Sequence, residues 1–191
     1  MERNLTTGSV LKNLMFFSLP YLLSYFLQTL YGMADLFIVG QFDGVASTTA
    51  VSVGSQVMHM LTVMIVGLAM GTTVTIGQAG GAKNRKKISH TIGNTVILFC
   101  IVSVAMMAFF LCMVRPIVAV MSTPAEAVKG TVAYLTICFV GIPCITAYNV
   151  ISSIFRGMGD SKSPMYFIAI ACGANIAFDY IFMGALHLGP A

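Results

Sequence analysis

Five stretches of this chain, 14–40, 51–79, 92–114, 132–155 and 164–188, are apolar over roughly 20 residues or more, the length an α-helix needs to cross a bilayer. In hydrocarbon a backbone must satisfy its own N–H and C=O groups, which restricts such stretches to helices. The composition agrees, since 58% hydrophobic and 8% charged residues lie outside the range of soluble domains. The expected fold is therefore all-α, a polytopic membrane bundle of five transmembrane helices. The first stretch does not read as a cleaved signal peptide. It is too long, it keeps Pro20, Gln28 and Asp35, and no small-residue cleavage site ends it.

Basic residues orient the bundle. Arg3 and Lys12 precede the first span, Lys83, Arg85, Lys86 and Lys87 join the second to the third, and Arg156 and Lys162 join the fourth to the fifth. These segments share one side and hold 8 of the 10 Lys and Arg residues; only Arg115 and Lys129 fall on the other. The positive-inside rule then places the amino terminus in the cytoplasm, with the chain multi-pass in the plasma membrane. Topology accounts for the basic run at 83–87, so no nucleic-acid partner is expected. The five cysteines, 100, 112, 138, 144 and 172, form no CxxC pair and no metal-ligand spacing, and read as packing residues.

Against this background two acids stand out, Asp35 in the first span and Asp179 in the fifth. A carboxylate deep in a bilayer costs several kcal/mol and is usually functional where it occurs. No Lys or Arg lies inside any apolar span; Arg115 and Arg156 sit at span ends. The positive partner must then be a proton, a metal cation or a cationic substrate, which points to an ion-coupled transporter.

Helical spacing gathers further polar groups beside the acids. Ser24, Gln28, Tyr31 and Asp35 form one stripe on the first span, and Ser52, Ser55, His59 and Thr62 one on the second. Thr146, Asn149 and Ser153 align on the fourth, and Asn175 lies one turn before Asp179, near enough for its amide to donate to the carboxylate. The matching heights of Asp35 and Asp179 on two spans of the same direction predict that both line one internal cavity with Asn175. Gln28, Tyr31, Ser55 and His59 are candidates for the substrate cavity. Gly67 and Gly71 make a GxxxG, expected to seat a neighbouring helix. Pro20 removes a backbone hydrogen bond within the first span and is a candidate hinge on the same helix as Asp35.

Four segments together resemble the multidrug and toxic compound extrusion (MATE) family. They are Ser18-Leu19-Pro20 with 30–40, Gly77-Gln78-Ala79-Gly80-Gly81-Ala82-Lys83-Asn84, the 155–164 run Phe-Arg-Gly-Met-Gly-Asp-Ser-Lys-Ser-Pro, and Asn175-Ile176-Ala177-Phe178-Asp179. The resemblance implies twelve helices in two six-helix lobes that export organic cations and other amphipathic compounds in exchange for inward protons or sodium. In the DinF-like branch Asp35, Asn175 and Asp179 match the coupling positions, sodium being admitted at the acid pair, and Asn149 matches an amide of the same network. Pro20 matches a first-helix proline proposed to bend during coupling. No cofactor is implied. On this reading residues 1–191 are the amino-terminal lobe without its sixth helix, and the second lobe of the polypeptide is its partner.

Two rival readings are weaker. A flippase for lipid-linked or polysaccharide precursors would need cationic residues in its cavity to meet pyrophosphate, and these spans hold none. A membrane-embedded enzyme would need a catalytic constellation beyond two acids, and none is present.

Overall fold

The computed structural model describes residues 8–42 and 44–185. They form α1 (Val10–Phe42), α2 (Val45–Gly81), α3 (Arg85–Val120), α4 (Ala125–Val140), α5 (Ile142–Gly157) and α6 (Lys162–Asp179), followed by a π-helical turn, Tyr180–Ala185. Helices α1, α2 and α3, and α6 continued by its π turn, are each long and apolar enough to cross a membrane; α4 and α5 form a fifth, bent span. Each of the first three overruns the expected bounds at both ends, because polar residues such as Lys12 and Lys86 continue the helix past the hydrocarbon. The carboxyl end of the expected 164–188 span lies outside the described residues.

The expected fourth span, 132–155, is not one straight helix. It is bent by 49° between α4 and α5. Gly141 closes α4 and opens α5, and Pro143 follows within the first turn of α5. Proline has no N–H and its ring crowds the carbonyl four residues back, here Phe139, so the ladder is broken at this point.

The turns show why the helices stop where they do. After α2, the N–H groups of Lys83 and Asn84 return to the carbonyls of Gly80 and Ala79 at 2.9 Å each, with Lys83 in a left-handed conformation. Asn84 then caps α3 by accepting from the Lys87 N–H at 3.0 Å. Before α6, Gly159 takes φ +86°, the region glycine enters without a Cβ penalty. Asp160 follows as the cap: its Oδ1 accepts from the N–H groups of Lys162 at 3.0 Å and Ser163 at 3.1 Å, and its Oδ2 accepts from the Ser163 hydroxyl at 2.6 Å.

Helix α2 is the centre of the bundle and packs against α1, α3, α4 and α5, while α6 lies along α1. One apolar cluster joins Leu61, Val118, Leu135, Phe139 and Ile142; a second joins Ile38, Val39, Val51 and Met183. Helices in lipid associate by close van der Waals fit and a few hydrogen bonds, since the tails are as apolar as the side chains. Hydrogen bonds between helices among the described residues include Thr72 to Thr95 at 3.1 Å, between α2 and α3, and the Thr73 hydroxyl to the Ser153 carbonyl at 3.0 Å, between α2 and α5. The close fit is not at the expected GxxxG. Gly67 and Gly71 are exposed, with open space where a Cβ would stand, because the buried face of α2 is that of Ile65, Ala69, Thr72 and Ile76. The tight approaches are Gly54 against Tyr134 and Gly157 against Ile76.

Candidate functional site

Asp35 stands on α1 one turn before Ile38 and Val39, which are buried against Val51 of α2 and Met183 of the π turn. That contact sets the rotation of α1 and leaves Asp35 half-buried, facing α4 and α6. Its carboxyl interacts electrostatically with Asp179 on α6, with Tyr31 on its own helix, and with Tyr134 and Cys138 on α4. The two acids expected to share a cavity are thus electrostatic neighbours.

Asp179 is the last residue of α6, and the helix widens into the π turn immediately after it. Single π turns inside helices recur at functional sites, because the extra residue re-aims side chains and frees carbonyls. This one seats Met183 in the apolar cluster and stacks Tyr180 edge-on against Phe42 at 6.2 Å. The expected hydrogen bond from the Asn175 amide to Asp179 does not form. Among the described residues, Oδ2 of Asp179 and Oδ1 of Asn175 are buried oxygens without a hydrogen-bond partner. Two residues one turn apart on a helix are within reach only if both side chains turn along the axis, and these face the interior instead. Neither acid is ion-paired among the described residues.

Tyr134 is the member that the sequence did not flag. Its hydroxyl lies 3.3 Å from Ser55 Oγ on α2, and its ring fills the space a side chain on Gly54 would need. It lies within electrostatic range of Asp35, on a helix where no polar stripe points to it. Cys138, one turn further on, completes the α4 side.

The remaining candidates divide. Gln28 lines a small cavity of about 50 Å³ with Tyr21, Ser24, Tyr148, Asn149 and Ser152, closed at one end by Arg156, whose guanidinium lies 5.2 Å from the Tyr21 ring centre. Asn149 is buried there and donates to the Ile145 carbonyl of its own helix at 2.8 Å. It belongs to this second polar region rather than to the acid pair. Tyr31 stands between the two, interacting electrostatically with both Asp35 and Tyr148. His59 is exposed and joins neither. Helix α1 runs unbroken through Pro20, and the Ser24 hydroxyl donates to the Pro20 carbonyl at 2.8 Å. No group of three or more His, Cys, Asp or Glu side chains able to hold a metal occurs among the described residues.

The MatE family model matches residues 20–181, which is most of the chain. The chain belongs to the MatE family. It is 30% identical over 186 residues to "Probable multidrug resistance protein YpnP" of Bacillus subtilis (strain 168), covering 97% of this chain and 42% of that protein. Among solved structures, "Crystal structure of MATE in the bent conformation" superposes with TM-score 0.87 at 28% identity, covering 94% of this chain and 40% of that one. "Outward-facing conformation of a multidrug resistance MATE family transporter of the MOP superfamily" superposes with TM-score 0.86 at 28% identity, covering 95% and 40%. This MatE chain thus spans about two fifths of the length of these relatives.

Proposed function

We propose that this chain is the amino-terminal lobe of a secondary active multidrug exporter, which exchanges cationic or amphipathic compounds for inward protons or sodium across the plasma membrane, with its amino terminus in the cytoplasm. The multidrug names of its relatives support the substrate class. The observation that carries the coupling is a pair of buried oxygens, Asp179 Oδ2 and Asn175 Oδ1, without a hydrogen-bond partner among the described residues, with Asp35 an electrostatic neighbour of Asp179 that no described Lys or Arg pairs with.

Two carboxylates held together in low dielectric repel each other, so the pair binds a positive charge more readily than either acid alone. A proton satisfies that demand by neutralising one acid. Sodium satisfies it through hard oxygen donors, for which the carboxylates and the Asn175 carbonyl are suited. A cationic drug drawn to the same negative charge competes with either ion, and competition of this kind is the minimum exchange requires. Pro20 supplies the hinge by which the charge state of Asp35 is passed to the shape of α1, since proline contributes no N–H to the helical ladder.

The test is drug efflux by the full chain expressed from its gene, reconstituted in proteoliposomes under an imposed proton or sodium gradient. Asp35→Asn and Asp179→Asn should each abolish efflux while membrane insertion and helicity stay normal. Undiminished efflux in both variants would refute the shared-site mechanism.

A further inference from the structure

A groove of about 450 Å³ opens at the end of the bundle where α3 turns into α4, lined by Arg115, Val118, Ser122, Lys129 and Val132 among others. It lies away from the acid pair, on the side to which the sequence assigns only two basic residues, and both of them line it. We propose that this groove binds an anionic phospholipid, with the headgroup phosphate between Arg115 and Lys129 and an acyl chain along the apolar wall.

Three observations support this reading. The first is charge. Arg115 and Lys129 are exposed, and neither is ion-paired among the described residues. Glu126, the acid in the first turn of α4, is not part of the groove lining, so the groove itself carries cations alone.

The second is the capping of α3. The carboxyl end of a helix is negative and would repel an anion. Here three of the last four carbonyls are occupied: Ile117 accepts from the Met121 N–H at 3.0 Å, Ala119 from the Ser122 N–H at 3.1 Å, and Val118 from the Thr123 hydroxyl at 3.1 Å. Ser122 is held in a left-handed conformation, φ +50°, to close this turn. The amino end of α4, whose dipole favours an anion, begins at Ala125 on the opposite wall.

The third is the wall itself. Val118, Val128 and Val132 give it an apolar surface, and Ser122 and Thr123 also line it. An apolar wall shared with two cations, at the end of membrane-spanning helices, offers a lipid both of its needs, a charged partner for the head and an apolar surface for the chain. A free anion would use only the top of such a groove.

Native mass spectrometry of the full chain in detergent, with phosphatidylglycerol or phosphatidylcholine of matched acyl chains, tests the proposal. The wild-type protein should retain phosphatidylglycerol over phosphatidylcholine by roughly tenfold, and Arg115→Gln with Lys129→Gln should bring the two to parity. Lys86→Gln with Lys87→Gln, at the other end of the bundle, should leave the preference intact. If the double variant fails to fold, each single Gln variant should lower the preference about three- to fivefold. Millimolar inorganic phosphate should not displace the lipid. No preference in the wild type, an undiminished preference in the Gln variants, or displacement by inorganic phosphate would each overturn it, the last by making the groove a free-anion site.

Discussion

The ring of Tyr134 occupies the space that a β-carbon on Gly54 would fill. This contact fixes how closely α4 approaches α2, and it carries the Tyr134 hydroxyl to Ser55, 3.3 Å away, and to the neighbourhood of Asp35. A glycine in the second span thus sets the geometry of the candidate coupling site without touching an ion.

The first prediction follows from that contact. Gly54→Ala should destabilise the fold by about 1–3 kcal/mol, the usual cost of overpacking a tight contact. Gly54→Ala combined with Tyr134→Ala should cost less than the two single changes added, since the smaller residue removes the clash. Thermal melting in detergent of the four proteins measures the coupling, and strict additivity would show that the ring is free to move away.

Two further glycines, one tightly packed and one in open space, behave oppositely. A Cβ on Gly157 would lie 2.8 Å from the Ile76 Cβ and 3.0 Å from the Thr73 carbonyl oxygen, a backbone atom that cannot step aside. Gly157→Ala should therefore push α5 off α2 and cost about 1–3 kcal/mol. Gly67→Ala meets nothing and should be neutral, or stabilising by up to about 1 kcal/mol through helix propensity. Melting midpoints of the two variants should differ in sign or clearly in size.

Asp160 ties α6 to the preceding turn, and its titration should be visible. Burial works against its charge, but the Ser163 hydroxyl and the N–H groups of Ser163 and Lys162 outweigh it and hold the carboxyl below its ordinary value. A depressed folded value means that the contribution is present above the unfolded value of about 4 and is lost as pH falls through the lower folded one. The stability difference between wild type and Asp160→Ala should be about 1–2 kcal/mol near neutral pH and should shrink below about pH 4. Melting curves of both proteins from neutral to acid pH check this; a difference that does not change with pH would exclude the carboxylate as its source.

Neutralising an acid of the pair should not harm the fold. Asp179→Asn keeps the shape of the side chain and removes a buried charge with no partner among the described residues. Its melting midpoint should be equal to or above that of the wild type, in contrast to a structural ion pair, whose breakage costs about 3–5 kcal/mol. A fall of that size would mean that Asp179 holds the bundle together.

The sequence by itself determined the all-helical class, the spans and the isolation of Asp35 and Asp179. It could do so because hydrocarbon leaves the backbone only its own partners, so length and apolarity decide a span without reference to its neighbours. The bend at Gly141 and Pro143 was missed in the 132–155 span, because whether such residues bend a span depends on what packs around them. Only the tertiary structure decided that Tyr134 and Cys138 come within electrostatic range of Asp35, that Asn149 lines a cavity with Gln28, and that Gly54 and Gly157, not Gly67 and Gly71, carry the close approaches. The physical reason is lateral: in lipid each apolar helix face is as well solvated as the next, so which faces meet is settled by the fit of side chains from distant parts of the chain, and one-dimensional spacing holds no record of that fit.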